Sequence, residues 1–394
     1  MKILFLGDAS NLHSTLATAL RAMGHHVVLM SDGSRWMDTS RDIDLTRGSG
    51  LGGALRYVAR VLSLLPSMCG YDVVHLVNPV FLNLRPDKVK LVFDFICRHN
   101  RSVFLSALGS DHDVVKACLE GNVLDYSEYM LHHTPTQYLA SAEGAAERSH
   151  SWLDPAMEHF HRHIISRIDG AVACLYEYYK IYSSIIPDKL AYGGIPINTQ
   201  ALKPHFITTE PAKVRFFIGM QRNRSIFKGT DRLLAAAKAV TEQMPDLCEL
   251  DVVENLPYNE YIERMLGCHV ILDQLYSYTP ATNALIAMAQ GMVAVSGGEE
   301  EFYRFIGEEH CRPIVNVSPL IEGDIEQKLR WIVNNKAQLP TLSRMSREFV
   351  MKHNDSHVVA RRHIDFWNEI LTKSKIYDSG NTNMHHRRRH QPRG

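Results

Sequence analysis

The sequence predicts an α/β protein made of two Rossmann-like domains that face a cleft. Three observations carry this. Apolar runs of strand length alternate with segments whose apolar residues recur at helical spacing. The alternation breaks once, near residues 199–213, where "TQALKPHFITTEPA" holds two prolines and little periodicity, and then restarts. Each half opens on a strand that ends at a glycine, "KILFLGD" in one and "VRFFIG" in the other. A chain of 394 residues also exceeds what one ordinary core holds.

The elements follow in order. "KILFLGD" is a strand, "HSTLATALRAMG" a helix stopped by Gly24, and "HHVVLMSDG" a strand, which gives parallel strands and a right-handed crossover. "YDVVHLVNP" is a strand ending at Asn78 and Pro79, "VKLVFDFICRHN" a helix, and "SVFLSALGSD" a strand leading into a turn. "IDGAVACL" and "KLAYGGIPIN" are further short strands. In the second half the strands are "VRFFIG", "LCELDVV", "HVILDQL", "MVAVSG" and "PIVNV", and the helices are "TDRLLAAAKAVTEQM", "YNEYIERML" and "TNALIAMAQ". "HVVARRHIDFWNEILTK" is an amphipathic helix with Val359, Phe366 and Ile370 on one face. The expected domains are 1–204 and 205–356, followed by the helix at 357–376 and a polar, basic tail at 377–394 that reads as disordered.

Composition excludes several classes. Lys plus Arg equals Asp plus Glu at 43 each, so a general nucleic-acid binder is not expected. Seven scattered cysteines without a C-x-x-C pair fit reduced thiols in a cytoplasmic protein. The first residues read as a strand and not a signal peptide. No apolar run reaches the roughly 20 residues that span a bilayer. "LRYVARVLSLLPSM" sets Arg56 and Arg60 beside a leucine-rich face. That helix either packs in the ordinary way or rests on the inner face of a membrane that carries a lipid-linked acceptor.

Two stretches lie where ligands bind in such sheets, beyond the carboxyl ends of strands. In "RSIFKGTDRLL", Arg224 and Lys228 precede Gly229, with Arg222 just upstream. Cations beside the amides of a helix start suit a diphosphate, and a solvated turn is the alternative. In "LDQLYSYTPATNALIAMAQG", a loop with Tyr276 and Tyr278 leads into a helix starting near Thr282. The tyrosines could stack on a base or sugar, or cap the edge of the core. In the first domain the turn "GDASNLHS" offers Gly7 for close backbone approach and Ser10, Asn11 and His13 for polar contacts. "GSDHD" contains Asp111 and Asp113; Asp111 reads as an acceptor contact or base, or as a helix cap. His159 and His163 lie at i and i+4 without a third ligand nearby, so a solvated helix face is expected and no metal.

"DQLYSYTPATNALIAMAQG", read with "FIGMQRNRSIFKGTDRLL", resembles the carboxyl-terminal domain of GT-B glycosyltransferases of the family 4-like group. That domain is also known as the glycosyltransferase family 1 domain type. The amino-terminal "FLGDASNLHSTLATALRAMGHHVVLMSDGSRW", with "FLSALGSD" and "GIPIN", looks like the acceptor domain of a bacterial subset. The resemblance covers about residues 1–370. It implies that Arg222 or Arg224 and Lys228 bind the donor diphosphate and that Thr282, Asn283, Ala284 and Leu285 present backbone amides to it. It also implies that the helix after His357 packs back across the first domain. Of the two glutamates the family uses, the first is Tyr278 here and the second Ile286, which cannot accept a ribose hydroxyl; Met292 stands where a lysine is common. The implied activity is a retaining, metal-independent transfer of a sugar from a nucleotide-sugar to a hydroxyl acceptor, in cell-surface polysaccharide or glycan synthesis. No cofactor is implied, since the nucleotide-sugar is a substrate. Arg222 and Lys228 would stabilise the leaving group and Asp111 would meet the acceptor. A nucleotide-sugar epimerase of the same architecture, drawing on Asp111 or the glutamates at 299–301, and a non-catalytic glycan or partner binder are the alternatives.

Overall fold

The computed structural model of the chain describes residues 1–34, 37–141 and 143–387. The first lobe runs β1 (Lys2–Leu6), α1 (Leu12–Ala22), β2 (His26–Ser31), β3 (Ile43–Asp44), α2 (Gly50–Leu64), β4 (Val73–Leu76), α3 (Pro86–His99), β5 (Val103–Ala107) and α4 (His112–Glu120). It continues through β6 (Met130–Leu131), β7 (Thr134–Pro135), α5 (Gln137–Ser141), α6 (Ala145–Ser151), α7 (Pro155–Arg167), β8 (Gly170–Ala173), α8 (Tyr176–Tyr182) and β9 (Leu190–Tyr192). The second lobe holds β10 (Val214–Met220), α9 (Ser225–Lys228), α10 (Thr230–Gln243), β11 (Cys248–Glu254), α11 (Tyr258–Met265), β12 (Val270–Leu272) and α12 (Thr282–Ala289). After it come β13 (Val293–Ser296), α13 (Glu300–Phe305), β14 (Val315–Asn316), α14 (Asp324–Asn334), α15 (Leu339–His353) and α16 (Ser356–Arg387).

Among the described residues the strands form two parallel sheets, ordered β3-β2-β1-β4-β5-β8-β9 and β11-β10-β12-β13-β14, and a small antiparallel β6/β7 hairpin. Both parallel sheets are doubly wound. The chain leaves β1 toward β2 and returns beside it as β4; it leaves β10 toward β11 and returns beside it as β12. The β1/β4 and β10/β12 gaps are therefore the switch points, where crossovers diverge and a crevice opens at the strand ends. The inner strands β4, β5 and β13 are buried on both faces, which is why they read as unbroken apolar runs.

α16 returns to the first lobe. Val359, Ala360, Phe366 and Trp367 pack with Ile3, Phe5, Leu16 and Leu20, and Ile370 lies against the same cluster. Burying such side chains contributes roughly 1.5–3 kcal/mol each, which fixes the return path. α16 continues to Arg387, into the stretch read as a disordered tail; residues 388–394 lie outside those described. The link between lobes is pinned by Arg347, whose guanidinium donates to the carbonyls of Thr199 and Leu202 at 3.0 Å each and to that of Ala289.

Candidate functional site

The β10/β12 crevice gathers the two stretches singled out above. β10 leads through Arg222–Arg224 into α9, and Gly229 turns the chain into α10 with φ +71. A Cβ there would lie 2.7 Å from the Leu275 Cβ and 3.0 Å from the Tyr276 ring, so glycine lets the two loops touch. The Leu275 amide then donates to the Lys228 carbonyl at 2.9 Å. The half-buried Lys228 ammonium has no hydrogen bond or ion pair among the described residues. Burial lowers its pKa; the Asp273 carboxylate opposes that and Arg224 adds to it. Asp273, 3% exposed, follows β12; its Oδ1 accepts from the Asn283 amide at 3.1 Å while its buried Oδ2 has no partner among the described residues. The Asn283 carbonyl accepts from the Tyr261 hydroxyl at 2.9 Å, which fixes the side chain. No side chain among the described residues caps α12 at Ala281, which leaves the first amides of the helix without a side-chain acceptor.

Other expected residues stand elsewhere. Arg222 is 80% exposed and paired with Glu254 at 2.7 Å, which leaves Arg224, exposed over the Phe227 ring, as the arginine nearer Lys228. Thr282 and Asn283 are half-buried; Ala284 and Leu285 lie in the core, so only their amides could serve a ligand. Tyr276 packs on the edge of the second-lobe core. Tyr278 is 3% exposed and covered by the first lobe, which closes it to base or sugar stacking in this arrangement. Ile286 and Met292 are buried at 7% and 3% exposure and belong to the core.

In the first lobe a cavity of about 230 Å³ opens at the β1/β4 switch point, lined by Gly7, Asp8, Ser31, Asp32, Tyr57 and Asn83 among others. Gly7 has φ +82, and a side chain there would overlap Val77. Ser10 and Asn11 follow with φ 53 and 63, a strained pair of the kind found beside ligand sites. His13 does not reach the crevice. It is fully buried, bonded to the Gly7 carbonyl at 2.7 Å and the Ser106 hydroxyl at 3.1 Å, and burial depresses its pKa to about 3. Asp111 is also turned inward, at 1% exposure. It caps α4 through the Val114 amide at 2.9 Å and accepts from the Tyr182 hydroxyl at 2.5 Å, so each carboxylate oxygen is held by an internal donor and buried away from an acceptor. Asp113 is paired with His161 at 2.9 Å. His163 meets Asp94 at 2.6 Å instead of water, while His159 is exposed.

Several residues facing the cleft escaped the sequence. The segment before β6 crosses to the second lobe, where Tyr126 stacks on Tyr278 and donates to the Ser277 carbonyl at 3.1 Å and to Glu299 at 2.8 Å. Glu177, at the start of α8, accepts from the Tyr278 amide at 3.1 Å and from the hydroxyls of Ser277 and Thr279 at 3.2 and 2.8 Å. Glu128 is half-buried; burial and the nearby Glu177 charge push its pKa up to about 7, against Arg224. No local pattern marks these residues, because their partners lie on the other lobe.

No protein-family model matches the chain, and no curated relative does. Solved structures do. Sucrose-phosphate synthase from Thermosynechococcus elongatus is similar at TM-score 0.61 and 14% identity, over 95% of this chain and 100% of that one. HepE from Anabaena, solved with UDP and glucose, is similar at 0.53 and 12%, over 93% and 98%. The catalytic domain of starch synthase IV from Arabidopsis thaliana, bound to ADP and acarbose, is similar at 0.53 and 11%, over 94% and 99%. The chain has the GT-B glycosyltransferase fold, with two Rossmann-like lobes and a carboxyl-terminal helix returning to the first.

Proposed function

We propose that the chain transfers a sugar from a nucleotide-sugar to a hydroxyl acceptor. The second lobe, residues 205–356, would hold the donor and the first, residues 1–204, the acceptor. The observation that carries this reading is the unpartnered Lys228 ammonium at the β10/β12 switch point, beside Arg224 and the uncapped start of α12. Two cations and a set of backbone amides are what a diphosphate leaving group requires, because negative charge grows on it as the sugar–oxygen bond breaks. Asp273, behind Lys228, would keep the ammonium charged in a half-buried place. The acceptor would enter the cavity walled by Asp8, Asp32 and Tyr57. Retention of configuration and independence from metal follow from the family resemblance.

A non-catalytic binder is favoured by one observation: Ile286 is buried in the core at the position of the family's second glutamate. The test is incubation with a panel of nucleotide-sugars and candidate acceptors, followed by product analysis. Transfer that needs the acceptor supports the proposal. Conversion of the nucleotide-sugar alone would indicate an epimerase, and nucleotide binding without turnover the binder.

A further inference from the structure

We propose that α2 docks the first lobe on an anionic membrane surface. A helix packed on a sheet normally turns charge outward. α2 does not. Tyr57, Val61 and Leu64 pack inward, while Leu51, Leu55, Val58 and Leu62 stand 87%, 72%, 39% and 58% exposed. Their spacing of i, i+4, i+7 and i+11 sets them in one row along the helix. The remaining outward positions beside that row are Gly52, Ala59 and Ser63, and the exposed Arg56 and Arg60 form one rim.

A row of this kind left in water marks an interaction surface, and the charge around it selects the occupant. From residue 45 to 71 there is no Asp or Glu, whereas Arg47, Arg56 and Arg60 fall within that span. Leucines that enter the headgroup–acyl boundary and arginines that meet lipid phosphates are the pattern of a helix lying in an interface. No helix among the described residues is long and apolar enough to cross a membrane, so the contact is with the surface. Tyr57, on the inward side of α2, also walls the first-lobe cavity. Docking would set that cavity close to the bilayer, which favours an acceptor carried on a lipid; this last step rests on the glycosyl-transfer reading, the docking does not.

The test is co-sedimentation of the full-length chain with vesicles of phosphatidylcholine, with or without phosphatidylglycerol. Variants are Leu55→Ser with Leu62→Ser, Arg56→Gln with Arg60→Gln, and Arg387→Gln with Arg388→Gln and Arg389→Gln to account for the basic tail. The α2 side chains are exposed, so thermal midpoints should match the parent. The expected result is binding to the anionic vesicles that each α2 pair weakens on the order of tenfold and the tail variant weakens less. Three results would overturn the proposal: no binding to anionic vesicles, equal binding to neutral ones, or binding that only the tail variant removes. A concentration-dependent dimer dissolved by the leucine pair, without vesicle binding, would assign the face to a second copy instead. Failure of transfer activity alone would leave vesicle binding intact, so the two readings are separable.

Discussion

Tyr126 of the first lobe lies against Tyr278 of the second, ring centroids 4.5 Å apart and planes 19° from parallel, and the Tyr278 hydroxyl accepts from the amides of Asp125 and Tyr126 at 2.7 and 3.2 Å. This contact joins the two lobes, beside the bonds that Glu177 makes to Ser277, Tyr278 and Thr279. Tyr278→Phe keeps the stack and leaves both amides without their acceptor. It should lower stability by about 1–3 kcal/mol, the cost of an unsatisfied buried donor. Urea unfolding of the two proteins measures it, and an unchanged midpoint would mean the lobes are held by other contacts.

Acid should destabilise the first lobe through its buried histidines. Burial lowers the pKa of His75 well below its ordinary 6.5, that of His13 to about 3 and that of His363 to about 4. The unfolded chain therefore binds more protons in this range, so the contribution is complete above pH 6.5 and is lost as pH falls toward 4 and 3. Asp8, Asp111 and Glu177, raised by burial, act in the opposite direction, so a difference isolates the effect. His75→Phe keeps the ring contacts with Phe104 and Trp367 and should show a shallower fall in melting temperature between pH 6.5 and 4. Parallel curves would contradict the assignment.

Gly229→Ala should cost about 1–3 kcal/mol, because φ +71 is strained for alanine and the new methyl would press on Leu275. The same change should weaken nucleotide binding, since it moves the loop that carries Lys228. A variant as stable as its parent would show that the turn relaxes freely.

Much of this was legible in the chain. Both sheets were, because strands buried on two faces are unbroken apolar runs and the turns between them are short. The β10/β12 crevice was legible for the same reason, since Lys228 and Thr282 each follow a strand end. Asp111 was left open between an acceptor contact and a helix cap, and His13 was read as a polar contact, because a side chain that caps a helix or fills a core has the same letter as one that faces a ligand. β3, with two residues, and the β6/β7 hairpin are too short to leave a pattern. Tyr126, Glu128 and Glu177 were missed because their role depends on the other lobe closing over them.

The central claim is that the second-lobe switch point holds a nucleoside diphosphate through Lys228. Calorimetric titration of UDP, GDP and ADP into the parent and Lys228→Ala tests it directly, with melting temperature as the control for folding. The parent should bind at least one of the three. Lys228→Ala should weaken that binding by roughly 1.5–3 kcal/mol, the range for a hydrogen bond to a charged group, and Lys228→Arg should restore it only in part because the guanidinium is a different shape. A folded Lys228→Ala that binds as tightly as the parent, or a parent that binds none of the three, would contradict the account.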